Sequence, residues 1–457
     1  MAAIRSKPDS RVGVLALIAS IGIQVVLAAL VLLGGTPALA LTQIESSDSE
    51  RLDAQGVLHV TRALQVNSGS PAYPDGSVGR AVALPTDWMS AAETGGGPVW
   101  YRVRFDTPPS RVPAAADGLP ADPIVALRIE RACGRLVVAL NGVRLHVDTP
   151  SVDPSGAVCF QPRLLPLPGV MLRSVDNRLD IRIEGATLDT VTARQRAAGL
   201  SPLQIGPYAV LASRHEDQRL WQVTAVQVMG GTLLLLGAFV AAMGWLNRRD
   251  GNFVYFGLLA FGWGLLTLRT ASFGTWRIGP ENQWLFTSLV APVAAAGVAF
   301  LLRSANLRDR RIDIALLVQC LLMPLTLLAV PSNAVFATAL FWYSFLGLQL
   351  LAAMAVFGLQ IRRQAPDDLA WTGSMLVLGG LLITVVTATQ YGWLPLSTAQ
   401  MAHVAISALL LFAAFHLVRT FASALRSAEA ARLTMELRVA EATAQIERNF
   451  AQLAELR

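Results

Sequence analysis

TAVQVMGGTLLLLGAFVAAMGWL, residues 224–246, contains no charged side chain. A hydrocarbon core about 30 Å thick needs roughly 20 apolar residues of helix, so this stretch is long enough to cross a bilayer. Further apolar runs follow at 253–268, 284–302, 314–330, 334–360, 369–391 and 398–418. Each is predicted helical, because lipid offers no partner to unpaired backbone groups. The reading is a bundle of seven spans.

Charge in the loops orients the spans, since short cytoplasmic loops collect Arg and Lys. Arg248 and Arg249 follow the first span, and Arg303, Arg308, Arg310 and Arg311 follow the third. Arg362 and Arg363 follow the fifth, and Arg419 follows the seventh. All four clusters fall on one face. The opposite loops carry Arg269 and Arg277 with Glu281, then residues 331–333 and 392–397. The chain before 224 is therefore expected outside the cell membrane, and the chain after 418 inside.

Composition agrees with a membrane protein: 53% of the 457 residues are hydrophobic and only 15% charged. A net charge of +6 could point to nucleic acid, but the basic residues sit at membrane boundaries and form no dense patch interleaved with aromatics. No nucleic-acid partner is expected. Lys7 is the only lysine, which leaves no buried lysine for a retinal Schiff base.

At the N-terminus, Arg5, Lys7 and Arg11 precede an apolar run from residue 12 to 33, with Ala38 and Ala40 in an A-x-A arrangement. Residues 1–40 read as a secretory signal cleaved after Ala40, or as an uncleaved anchor helix. Either exports the next domain.

Residues 41–217 change texture to short alternating runs broken by Gly, Pro, Asp and Asn, the pattern of an all-β domain. Strands are clearest at 99–105, 125–129, 136–140, 143–147 and 179–183. Asn141-Gly142 marks a tight hairpin, because both residues tolerate positive φ. In the last strand Leu179, Ile181 and Ile183 alternate with Arg178, Asp180 and Arg182, so one face is expected buried and the other wet. Cys133 and Cys159 lie in the exported part, where thiols pair, and a disulfide between them is expected. Cys320 falls within the fourth span as a packing residue.

Leu84-Pro85-Thr86-Asp87-Trp88, the glycines at 95–97, and Trp100-Tyr101-Arg102-Val103-Arg104-Phe105 resemble the jelly roll of galactose-binding-like sugar modules. The resemblance spans about 130 residues and implies a β-sandwich with carbohydrate as one possible ligand. Trp88, Trp100 and Tyr101 then read either as a stacking platform for a saccharide or as core aromatics, since large aromatics dominate cores.

The stretch from Arg248 through Asp250-Gly251-Asn252-Phe253 to Leu259 resembles the first cytoplasmic loop and second span of bacterial seven-transmembrane receptors with diverse intracellular signalling modules. The order of parts agrees: export segment, jelly-roll ectodomain, seven spans, cytoplasmic helix. That resemblance implies reception of a periplasmic or membrane cue across the bacterial inner membrane, with the N-terminal domain in the periplasm.

Among the polar groups inside the spans, Gln319, Gln349, Gln390 and His403 are the candidates for function, and such groups usually face the bundle interior. His403 is either a ligand or proton-linked switch residue, or one partner of an interhelical hydrogen bond contributing about 1 kcal/mol or less. Pro292 and Pro324 are expected to kink the third and fourth spans. The spans hold no chain of carboxylates for proton-coupled transport, nor paired carboxylates or a Ser/His pair for intramembrane catalysis. No cofactor or metal is expected.

Residues 419–457 are rich in Ala, Leu, Glu, Gln and Arg and lack Pro and Gly, which predicts a helix continuing from the seventh span. Met435, Val439, Ala442, Ile446, Phe450 and Leu453 recur at steps of four, three, four, four and three. This is a heptad seam with one stutter, and it fits a parallel dimeric coiled coil; the alternative is a single amphipathic helix lying on the membrane or packed on something else. Arg438 to Glu447 resembles the linker ahead of output domains in sensor histidine kinases and diguanylate cyclases. No histidine follows His416, so the chain is expected to be the sensor part of a two-component histidine kinase, or a receptor acting on a separate output domain or response regulator. A receptor coupled to a diguanylate cyclase is a further alternative. So is an envelope carbohydrate-binding anchor or assembly factor that signals nothing.

Overall fold

In the computed structural model, residues 50–89, 97–107, 124–148, 159, 162–246, 251–271, 283–364 and 369–455 are described. The expected export segment at 1–40, Arg248 and Arg249 lie outside them. The N-terminal part is two antiparallel sheets packed face to face. One holds five strands in the order β1 (Glu50–Leu52), β2 (Leu58–Val60), β14 (Leu203–Pro207), β7 (Val125–Ile129) and β11 (Arg163–Leu167). The other holds six: β10 (Val143–Val147), β9 (Arg135–Leu140), β12 (Asn177–Glu184), β6 (Val99–Phe105), β3 (Arg62–Asn67) and β4 (Arg80–Ala83). A small third sheet joins β5 (Thr86–Asp87), β13 (Gly199–Leu200) and β8 (Ala132–Cys133).

Alternation builds the core. Val60, Leu127, Ile129, Leu203 and Ile205 from one sheet meet Val99, Tyr101, Val103, Leu136, Val138, Leu140, Leu179, Ile181 and Ile183 from the other. Each fully buried aliphatic side chain contributes about 1.5–3 kcal/mol. The expected hairpin joins β9 to β10, with Asn141 at φ 51° and Gly142 at φ 88°, the left-handed backbone its tight turn needs. The expected disulfide links Cys133 and Cys159. Cys320 is free, its thiol directed at the Leu316 carbonyl at 3.1 Å.

The outward face of β12 differs from expectation: it is not uniformly wet. Asp180 is 5% exposed and Arg102, its neighbour on β6, 8%. The loop after β3 folds over them. Arg102 binds Asp180 through Nε at 2.6 Å and Nη2 at 2.9 Å, also meets Asp75, and lies 3.7 Å over the Tyr73 ring. Removing one partner of a buried pair leaves the other charge uncompensated. Arg102→Ala should therefore lower the stability of the β-domain by about 3–5 kcal/mol, read as faster amide exchange in β6 and β12.

The helical part begins earlier than the apolar pattern predicts. Helix α1 (Tyr208–Arg219) runs through a π turn (Leu220–Thr224) into α2 (Ala225–Leu246), crossing the expected boundary at 217/218. Then come α3 (Asn252–Ala271), α4 (Gln283–Ser288), α5 (Val290–Ser304), α6 (Arg310–Ala329), α7 (Val335–Gln364), α8 (Leu369–Gln390) and α9 (Leu396–Glu455). Among the described residues six helical stretches are long and apolar enough to cross a membrane, and the second expected span is a shorter apolar helix over Asn252–Leu268. The third expected span is split at Leu289 into α4 and α5. Pro292 explains the break, because its missing N–H cannot pair with the Ser288 carbonyl. Helix α6 runs unbroken through Pro324.

One packing device was missed in the sequence. Gly230, Gly237 and Gly244 of α2 face Gly257 and Gly264 of α3, and both sets step by seven residues. A Cβ on Gly237 would lie 2.4 Å from the Phe261 backbone nitrogen, and one on Gly257 would lie 2.4 Å from that of Ala241. Small residues let two membrane helices approach this closely, so that dispersion between backbones holds them.

Candidate functional site

The segment between β12 and β13, residues 185–198, leaves the sandwich and enters the end of the helical bundle. The β-domain shapes it from behind. The Leu188 amide donates to the Trp88 carbonyl at 2.8 Å, and the Trp88 amide to the Ala198 carbonyl at 2.9 Å. Two short 3-10 turns, Leu188–Thr190 and Arg194–Arg196, fold its middle. Leu188, Val191 and Ala197 are buried together, with Phe336 of α7 packed on them.

Three helices hold the segment by hydrogen bonds. Thr287 at the end of α4 donates Oγ1–H to Thr192 Oγ1 at 2.8 Å, and the Tyr343 hydroxyl of α7 donates to the Thr192 carbonyl at 3.1 Å. At the end of α8, the Arg194 amide donates to Gln390 Oε1 at 3.1 Å, and Gln390 Nε2 donates to Gln195 Oε1 at 2.8 Å. Gln390 is 5% exposed, and the primary-sequence reading of it as a buried membrane polar group is refined: its amide is satisfied by the β-domain. The guanidinium of Arg194 points back to Asp87 at 3.0 Å, which also binds Arg131 at 2.9 Å. Asp87 thus shares its charge between two guanidiniums, and Arg194 reaches the bundle through both its backbone amide and Nη1, which donates to the Thr389 carbonyl at 3.4 Å.

A second connection is covalent. Helix α1 lies on the outer face of the five-stranded sheet, with Leu211 buried against Val57 and Ala126. Arg214 binds Asp53 at 2.8 Å, and Gln218 accepts from Arg128 of β7. The helix then continues through the π turn into the first span; π turns inside helices are frequent at functional positions. The β-domain thus grips the bundle at two separated places, α2 through the chain itself and α4, α7 and α8 through the 185–198 segment.

Burial pushes the Asp53 carboxyl up, but the amides of Val57 and Gln55 with Arg214 and His59 outweigh it and hold it below the carboxylate range. Burial of Asp148 is outweighed likewise by Arg163, the Leu136 amide and His146. A carboxyl depressed on folding adds stability above its unfolded pKa of about 3.9, and that stability is lost as pH falls through the folded pKa. Amide protection of α1 should accordingly hold from neutral pH to about 4 and decline in more acid solution, as measured by hydrogen exchange across a pH series.

The residues named as ligand candidates lie elsewhere. Trp88, Trp100 and Tyr101 are 3%, 2% and 0% exposed and offer no open ring face for stacking a saccharide. Trp88 Nε1 donates to the Tyr101 hydroxyl at 2.8 Å, and Trp100 Nε1 to the Ser70 carbonyl at 3.2 Å. Burial of the apolar rings with their polar tips satisfied explains the placement. His403 stacks on Trp263 of α3 with ring centroids 5.6 Å apart, and Trp263 Nε1 donates to Ser407 at 3.2 Å, so this pair fastens α9 to α3. On α9 the seam residues Met435, Val439 and Ile446 are 72%, 65% and 54% exposed. The side chains of Phe450 and Leu453 lie outside the described residues.

Comparison with known proteins bears on the helical part. Residues 226–419 match the model of the family described as 7TM diverse intracellular signalling. No curated protein matches the chain. Among solved structures, the chain is similar to a beta-glucuronidase of Ruminococcus gnavus at 14% identity and TM-score 0.24, over 33% of this chain and 28% of that one. It is similar also to the Faecalibacterium prausnitzii beta-glucuronidase at 15% identity and TM-score 0.24, covering 34% and 32%. A glycosyl hydrolase family 2 member from Bacteroides cellulosilyticus DSM 14838 matches at 15% and 0.24, covering 33% and 20%. The chain therefore spans less than a third of the length of these enzymes.

Proposed function

We propose, from the match of residues 226–419 to the 7TM diverse intracellular signalling family, that the protein is a homodimeric receptor of the bacterial inner membrane. Its β-domain faces the periplasm and senses a cue there or in the membrane. The output is a cytoplasmic histidine kinase, or a separate output domain or response regulator, reached through α9. Lipid and an intracellular signalling partner belong to the family's way of working; the dimer and the kinase are part of this reading.

One observation carries the proposal. The segment at 185–198 is bonded to Thr389 and Gln390, the last residues of α8, and α9 starts at Leu396 and runs without a break to Glu455. A displacement of the β-domain relative to α1 moves the end of α8 against α2, and α9 is the rigid element that follows. A ligand that binds one placement of the β-domain better shifts the population toward it. Two copies of α9 joined along Met435, Val439, Ala442 and Ile446 convert that shift into a change of pairing.

Charge at the seam tests this. Met435→Glu combined with Ile446→Glu should abolish dimerisation of the full chain in nanodiscs and leave the helical content unchanged, since apolar seam positions supply the association. A particle mass of two chains in that variant would remove α9 as the dimer contact.

A further inference from the structure

Helix α9 carries a second apolar seam. Ala430, Leu433, Leu437 and Ala440 step by three, four and three, offset by two residues from Met435, Val439 and Ala442. At 3.6 residues per turn, two residues rotate the helix by about 200°, so the two seams lie on nearly opposite faces. Leu433 and Leu437 are 62% and 65% exposed, as open as the first seam. Large apolar side chains in such a row mark a surface that something covers.

Charge decides what fits. In a parallel pair across the first seam, Arg438 of one helix meets Thr443 of the other, and Ala431 meets Glu436. In a parallel pair across the second, Glu436 would meet Glu441, and Glu429 adds a third acid on that side. Facing like charges select against a partner. A second copy in parallel is therefore disfavoured on the second seam by its own carboxylates. Glu436 is held by its own Arg432 at 2.9 Å, but both side chains are exposed, and an exposed pair of this kind is readily exchanged.

We propose that the face carrying Leu433 and Leu437 docks an amphipathic helix of a separate cytoplasmic protein, one whose apolar stripe is flanked by Lys or Arg. The dimer of the preceding section occupies one side of α9, and this partner occupies the other. The idea rests on that reading in placing α9 in the cytoplasm and in assigning the first seam to the second copy.

Two synthetic helical peptides sharing one Leu/Ile stripe, one flanked by Lys and the other by Glu, serve as probes. They are titrated by fluorescence anisotropy onto the full chain in phosphatidylcholine nanodiscs, whose neutral lipid does not hold basic peptides. The Lys-flanked peptide should bind about tenfold or more tightly than the Glu-flanked one, as opposed flanking charges require. Leu433→Glu with Leu437→Glu should abolish binding, and Glu436→Lys with Glu441→Lys should reverse the preference while leaving the helix intact. Equal affinity for the two peptides would overturn the proposal. So would binding that survives Leu433→Glu with Leu437→Glu, or binding lost only with Met435→Glu and Ile446→Glu. A particle of more than two chains that Leu437→Glu dissociates would place a second copy on this face instead. Dimer mass is read separately from peptide binding, so loss of the dimer and loss of the docking face are distinguishable.

Discussion

Gly237→Leu is expected to remove most folded protein from the membrane, whereas Gly231→Leu is expected to be tolerated. Both glycines lie on α2, yet a Cβ on Gly237 would meet Phe261 N at 2.4 Å and Gly257 O at 2.9 Å, while nothing lies within 4 Å of one on Gly231. Backbone atoms of α3 cannot rotate away as a side chain can. The two helices must separate, and the contacts at Gly230, Gly244, Gly257 and Gly264 loosen with them. Overpacking a tight site costs about 1–3 kcal/mol, and four added heavy atoms against backbone place Gly237→Leu at the upper end. About 3 kcal/mol is roughly a hundredfold in the ratio of folded to unfolded protein. The check is the monodisperse fraction after mild detergent extraction, compared between the two variants. Equal yields would mean that α2 and α3 are not held by their glycines.

The second large effect is expected at the junction. Arg194→Ala combined with Gln390→Ala removes the guanidinium that binds Asp87 and the side-chain amide that holds the Arg194 and Gln195 groups. Gln390 of α8 holds the segment through its side-chain amide, and the Arg194 guanidinium bridges Asp87 and the Thr389 carbonyl of α8. Residues sharing one hydrogen-bond network couple by about 0.5–3 kcal/mol. Each single variant should therefore raise amide exchange through residues 185–198, and the double variant should raise it by less than the sum of the two. The sandwich should remain folded, because its core lies between the two sheets and includes neither residue. A double variant whose exchange is the simple sum would show that Arg194 and Gln390 act independently.

Alternation of Leu179, Ile181 and Ile183 placed β12 and its buried face correctly, because a period of two is a local property of the chain. Asn141-Gly142 placed its turn for the same reason. The apolar runs located the helices of the bundle, since bilayer thickness sets their length. The junction was not legible: its contacts join residues 195 and 196 positions apart, and no short-range pattern encodes such a meeting. Gln390 stood out as a polar residue in an apolar run, but its partner on the β-domain gave no signal. The wet face of β12 was misjudged because Asp180 and Arg102 form a buried pair only once the loop bearing Tyr73 and Asp75 closes over them. Helix α1 was absorbed into the β-domain because YAVLASRHEDQR carries few apolar residues; it docks through Leu211 and the Arg214–Asp53 pair. The glycines stepping by seven along α2 were visible in the sequence and were a readable sign of close helix packing.

The most direct test of signal transfer is the distance between two copies of α9 with the junction intact and cut. A single spin label at Thr434→Cys, an exposed position on neither seam, in a Cys320→Ser background, reports that distance by dipolar spectroscopy on the full chain in nanodiscs. A short, narrow distribution is expected with the native junction, and a broadened or shifted one in the Arg194→Ala, Gln390→Ala variant. Identical distributions in the two proteins would contradict coupling from the β-domain to α9, and an absence of dipolar coupling in both would contradict the dimer itself.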